Sequence, residues 1–113
     1  MRRARKERRT GSLSKARDIK LWLDDVRDPK AYTTVAYTWA RTAQEAIKWL
    51  KTGRVTYASL DHDLGGPETG YAVVLWMEAH NVWPVDGTDV HSLNYIGATR
   101  MRQVIDRHYR PEG

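Results

Sequence analysis

An α/β fold, a three-layer sandwich around a short parallel sheet of about four strands, is predicted by three observations. Short apolar runs alternate with segments of helical periodicity, the pattern of strand–helix–strand crossovers. Successive apolar runs end abruptly in acid or histidine, as buried strands do on emerging at a polar sheet edge. The chain has 113 residues, enough for one core and too few for two.

Taken in order, Ile19–Leu23 is an apolar run stopped by Asp24-Asp25 and reads as the first strand. Val35–Trp39, β-branched and aromatic, reads as the second. Only residues 26–34 then join them, short for a parallel crossover, so the first crossover helix is expected to be reduced or absent. Thr42-x-x-Glu45 is a capping box, Ala43, Ala46, Ile47 and Leu50 recur at helical spacing, and Gly53 is a stop signal. Tyr57–Leu60 is the third strand and runs into Asp61-His62-Asp63. A strongly apolar helix spans 70–80, with Thr69 as its cap and Asn81 just past its end. Asp89–Leu93 is the fourth strand, and a last helix covers 98–109 with Met101, Val104, Ile105 and His108 on one face. The expected strand order is 2-1-3-4, with right-handed crossovers.

Charge is unevenly placed. Residues 1–19 hold 8 basic and 2 acidic side chains, against 11 and 12 in the remainder, so the net +5 belongs to the terminus. Residues 1–18 are expected to form a basic, disordered arm and residues 19–110 a single domain. Through residues 1–17 that arm offers a weak, salt-sensitive contact to nucleic acid. The chain has no cysteine, which excludes disulfides and thiolate metal sites. No window has the roughly 20 apolar residues of a membrane span, so no membrane partner and a cytoplasmic location are expected. Nothing in the sequence fixes the oligomeric state.

Ligands of open parallel sheets bind beyond the carboxyl ends of the strands. That rule gathers Asp24 and Asp25, then Asp61, His62 and Asp63, then His91 and Ser92 on one rim, where neighbouring strands are about 4.8 Å apart. Any one of these pieces is ordinary turn chemistry. Three successive strands ending in ionisable groups point instead to a site. Clustered carboxylates must share a proton, pair with a cation or bind a metal. Arg27, Arg100 or a divalent ion can fill that role; oxygen ligands suit magnesium, and a contribution from His62 or His91 admits manganese or zinc. Alternatively, the two histidines act as acid and base on a phosphoester.

Four separated motifs, Leu21-Trp-Leu-Asp-Asp-Val-Arg-Asp-Pro29, Ser59-Leu-Asp-His-Asp-Leu-Gly65, Thr69-Gly70 and His91-Ser-Leu-Asn94 with Gly97 and Met101, resemble the cyclic-phosphate processing receiver domain family over residues 19–109. The wider similarity is to two-component receivers, whose acidic pair, phospho-accepting Asp and Ser or Thr correspond here to Asp24, Asp25, Asp61 and Ser92. The resemblance implies a receiver-like, flavodoxin-type fold in which His62 and His91 turn the pocket toward cyclic phosphates. Two departures stand out: Tyr95 follows Asn94 where the family typically has Pro, and the Lys that receivers carry on a fifth strand has no counterpart.

The leading expectation is therefore a phosphodiesterase-type activity that opens or hydrolyses the cyclic phosphodiester of a nucleotide or RNA end. His62, His91 and Asp61 would be catalytic. Ser92, Asn94, Arg100 and Arg27 would bind phosphate, and Asp24, Asp25, Asp61 and Asp63 would hold magnesium or manganese. The alternative is a non-enzymatic pseudo-receiver that binds a phosphorylated ligand or partner, or is phosphorylated on Asp61.

Overall fold

In the computed structural model, which describes residues 18–110, Ile19–Leu23 forms β1, an interior strand of a four-stranded parallel sheet. A single 3₁₀ turn, Pro29–Ala31, precedes β2 (Thr38–Ala40). Then follow α1 (Ala43–Leu50), β3 (Val55–Leu60), α2 (Gly70–His80), β4 (Thr88–Val90) and α3 (Tyr95–Tyr109). The sheet order is β2-β1-β3-β4, all pairs parallel, as the sequence predicts. Residues 1–17 lie outside the described residues, and the basic arm with them.

Alternation along the strands divides the two faces of the sheet. Leu21, Leu23, Ala40, Ala58, Leu60 and Val90 are buried in one cluster with Ala46 and Leu50 of α1, Val73 and Met77 of α2, and Met101 and Ile105 of α3. Trp22, Trp39, Ser59 and Asp89 share one register row and point to the opposite face. All three helices join the single cluster, so among the described residues the α/β sandwich has two layers. The place of a first crossover helix is taken by the 3₁₀ turn, which Asp28 caps by accepting the Lys30 N–H at 2.9 Å.

Element ends differ from the sequence reading where pairing partners run out. β2 begins at Thr38, because its three residues pair with Leu21, Trp22 and Leu23, the last residues of β1; Val35 stands exposed in the connection. That lengthens the crossover to residues 24–37, which resolves its apparent shortness. β4 stops at Val90 because its partner β3 stops at Leu60. His91 makes one more ladder-like bond, N–H to the Leu60 carbonyl at 2.9 Å, and Ser92 and Leu93 lie beyond the strand. α3 starts at Tyr95, with Asn94 accepting the Gly97 N–H at 2.9 Å as its cap. Thr69 sits at the N-cap of α2 but makes no side-chain cap bond. Thr42 does cap α1, and Glu45 reaches back to the Arg41 N–H, one residue upstream of the usual capping-box partner. His108 is exposed and stacks on Trp83 at 4.6 Å instead of entering the core.

Candidate functional site

β1 delivers Asp24 into the rim with no exposed surface at all. Its Oδ1 accepts the N–H groups of Val26 (3.0 Å) and Arg27 (2.8 Å), so the turn after β1 folds around this carboxylate. Its Oδ2 accepts from the Arg27 guanidinium at 3.1 Å and from His91 Nε2 at 3.0 Å. Burial alone would raise the pKa of Asp24; these four donors outweigh it and hold the carboxylate below its ordinary range. The same turn is pinned by Trp22 Nε1 on the Arg27 carbonyl, Trp39 Nε1 on the Asp24 carbonyl and the Arg41 guanidinium on the Asp25 carbonyl.

Asp61, at the end of β3, is almost as buried. Burial pushes its pKa up and the nearby Asp24 charge adds to the effect, against hydrogen bonds from the Ser92 hydroxyl and the His62 N–H. Arg27 also reaches Asp61, at 3.5 Å, so one guanidinium neutralises two carboxylates. Asp25 differs: it is half-buried, and its side-chain oxygens take no hydrogen bond among the described residues. Gly65, at φ +71°, gives it room, since a Cβ there would lie 2.8 Å from Asp25 Oδ2.

Asp24, Asp25 and Asp61 each place one carboxylate oxygen within 4.8 Å of the others. This all-oxygen set, with Asp25 unpartnered, fits a hard divalent cation such as magnesium or manganese. Neither histidine is among these ligand atoms. Asp63 stands outside the set too: its carboxylate turns to His62 Nδ1 at 2.6 Å and to the Asn94 amide at 3.0 Å.

The two histidines occupy different positions. His91 lies flat on Trp22, ring centroids 3.9 Å apart, and both of its nitrogens are bonded within the protein. Because Asp24 is ionised, Nε2 carries the proton it accepts; Nδ1 then accepts from the Ser59 hydroxyl at 2.7 Å. Burial lowers the pKa of His91 despite the carboxylates around it, which keeps the ring neutral. Ser59, His91 and Asp24 thus form a serine–histidine–aspartate chain, but Ser59 is only 6% exposed and does not line the cavities beside His91, so its role is to fix the ring. His62 instead packs on the backbone of Gly97 in the first turn of α3, and its Nε2 makes no hydrogen bond among the described residues.

Two adjoining chambers open at this rim. The polar one, about 280 Å³, is lined by Asp25, Arg27, Asp61, Asp63, Ser92 and Asn94, among others. Its neighbour, about 360 Å³, is lined by Trp22, Tyr32 and His91, and shares Arg27, Ser92 and Leu93 with the first. Asp24, Asp25, Asp61, Asp63, Arg27, Ser92, Asn94 and His91 are therefore brought together as the sequence expects, whereas His62 lines neither chamber and lies against Gly97, joined to the rim through Asp63. Arg100 is not brought there: it is exposed on α3, bonds to nothing described and lines neither chamber, because the added first turn of α3 carries it away from the rim. Ser59, Trp22 and Gly97 stand within the sequence motifs without a role of their own there, and Tyr32 stands outside them. Strand alternation could have found Ser59 opposite Trp22, and a glycine inside a helix marks a close approach at Gly97; nothing singles out Tyr32.

Among the described residues no helix is long and apolar enough to cross a membrane. Searches of curated proteins and of solved structures returned no match. Residues 19–107 match the family described as the cyclic-phosphate processing receiver domain. With that match spanning the whole sheet and most of α3, the chain belongs to the cyclic-phosphate processing receiver domain family.

Proposed function

We propose that the polar chamber binds a cyclic phosphodiester and hydrolyses it to a phosphomonoester. The observation that carries this reading is the convergence of Arg27, Ser92 and Asp61 on one cleft beyond the strand ends, in a chain of this family. Arg27 and Ser92 offer donors to the phosphate oxygens. A water oxygen attacks phosphorus as a base on the rim takes its proton, one ring P–O ester bond breaks, and the freed alkoxide takes up a proton from the same base in its protonated form. His62, which lines neither chamber but is tied to the lining residue Asp63 through Nδ1, is the better acid–base candidate, since its Nε2 makes no hydrogen bond among the described residues, whereas both nitrogens of His91 are engaged. His91 holds Asp24 in place. A divalent ion, magnesium or manganese, would be held by Asp24, Asp25 and Asp61, and when bound it supplies positive charge to the phosphate.

The test is ³¹P NMR of purified protein with cyclic nucleotides and 2′,3′-cyclic phosphates, with and without magnesium or manganese. Conversion of at least one to its monoester, lost in His62→Ala, is expected. No conversion under any condition would refute hydrolysis.

A second reading is favoured by the engagement of both His91 nitrogens: a pseudo-receiver that binds a phosphorylated ligand, or is phosphorylated on Asp61. Acetyl phosphate followed by intact mass distinguishes it, through a labile adduct absent from Asp61→Asn.

A further inference from the structure

Val26, Leu93, Tyr95 and Ile96 are large apolar residues left between 69% and 89% exposed. Val26 and Leu93 both line the polar chamber, and Tyr95 and Ile96 follow Leu93 closely in the chain, in the first turn of α3. The four therefore make one patch at the chamber mouth, on the order of 500 Å² and at the upper end of what a monomer leaves bare in one place. Charge is divided about this patch. On one flank is the chamber, whose walls carry the carboxylates of Asp25, Asp61 and Asp63 against the guanidinium of Arg27. On the other is Arg100, one helical turn beyond Ile96 and on the same face of α3. Arg100 is exposed and bonds to nothing among the described residues, whereas Arg102 donates to the Val90 carbonyl at 3.1 Å and Arg107 to Glu78 at 2.9 Å. An apolar patch with acid on one flank and an unengaged cation on the other is complementary to itself under a two-fold rotation, which lays each basic flank on the acidic flank opposite. A border of one sign would repel its own copy.

From this we infer that the patch is the interface of a homodimer, in which Val26, Leu93, Tyr95 and Ile96 of two copies pack together and Arg100 of each copy lies at the mouth of the other's polar chamber. Two such patches hide about 1,000 Å² between them, the lower bound for a specific interface, so the association is weak and reversible. Arg100, remote from both chambers of its own chain, serves the neighbouring one, adding positive charge beside Arg27 where an anionic ligand enters. That last role rests on the phosphate reading of the chamber; the association does not.

Sedimentation velocity of the full chain over a series of concentrations tests it. A reversible monomer–dimer equilibrium is expected, weakened by at least about tenfold in Ile96→Glu and in Arg100→Glu and kept in Arg100→Lys. Circular dichroism should be unchanged in all three, because both side chains are exposed. The chain has no cysteine, so Ile96→Cys carries a single thiol. A short bismaleimide should join it into a covalent dimer and leave Leu75→Cys, exposed on α2, monomeric. A monomer at every concentration overturns the dimer, and a dimer untouched by Ile96→Glu overturns this face as its interface. A dimer broken by Ile96→Glu yet indifferent to Arg100→Glu removes Arg100 from the neighbouring chamber. None of these readouts involves turnover, so each holds whatever the cyclic-phosphate assay returns.

Discussion

His91 Nε2 lies 3.0 Å from Asp24 Oδ2, and this bond ties the end of β4 to the end of β1 across β3. The imidazole is thereby part of the fold as well as of the rim. Replacing it by Ala removes one of four donors from a fully buried carboxylate, strips the face of Trp22 and leaves Ser59 without its partner. A lost bond to a buried charged acceptor together with a lost ring stack costs about 2–4 kcal/mol. Urea unfolding of His91→Ala should show that loss with the m-value unchanged. A stability within 0.5 kcal/mol of the parent would mean that the His91–Asp24 bond is not formed in solution.

The same pair sets the pH dependence of stability. The pKa of His91 is below its ordinary value of 6.5 in the fold, so on acidification the unfolded chain binds this proton first. The contribution is complete above 6.5 and declines as the pH falls from there toward the folded value, with a slope of at most about 1.4 kcal/mol per unit. Asp24, held below 3.8, loses its contribution only at lower pH still. Asp61 acts in the opposite sense, since its raised pKa makes ionisation a cost that acid relieves. The expected outcome is a lower urea midpoint at pH 5.5 than at pH 7.5, with a smaller drop in His91→Gln. An equal drop in both proteins would assign the effect to another group.

Asp61 should show the opposite mutational sign. It is buried beside a second carboxylate, and the Arg27 guanidinium reaches both. Asp61→Asn removes the charge while keeping an oxygen for the His62 N–H or Ser92. Thermal stability should rise by about 0.5–2 kcal/mol, the usual gain when a strained functional group is neutralised, which for a domain of this size is several degrees in Tm. Cyclic-phosphate turnover should fall at least about 100-fold. Calorimetry showing a lower Tm would place Asp61 among the residues that hold the fold together.

Much of the molecule was legible because its cause is local. Ile19–Leu23 and 70–80 were read correctly from apolar runs and their stops, and the 2-1-3-4 order followed from alternation of strands and helices. The strand ends were not, because β2 and β4 stop where β1 and β3 stop, and pairing is a non-local fact. The first turn of α3 was missed since Tyr95, Ile96 and Gly97 are poor helix formers left exposed or packed on His62, and the true cap, Asn94, was counted only as a phosphate ligand. Similarly, the motifs brought the right acids to the rim but could not say which were free. That Arg27 spans Asp24 and Asp61, and that Asp63 belongs to His62, depend on side-chain directions beyond the strand ends. Arg100 was misplaced for the simplest reason: with α3 starting at 95, not 98, the arginine is no longer in its first turn.

Gly97→Ala separates the catalytic proposal for His62 from its effect on folding. A Cβ at this position would lie 2.4–2.6 Å from three atoms of the His62 ring, closer than any non-bonded contact permits. The ring must therefore leave the surface of α3 and with it the positions of Asp63 and Asn94. The helix itself loses nothing: Gly97 has no unusual φ, its N–H bond to Asn94 is retained, and Ala is the better helix former by about 1 kcal/mol. Circular dichroism should find α3 intact and the Tm within a few degrees of the parent, while turnover falls by about 100-fold, as for loss of an acid–base group. Imidazole ¹⁵N shifts should report the change at His62 and none at His91. Wild-type turnover with a displaced His62 ring would transfer the proton-handling role to another group on the rim.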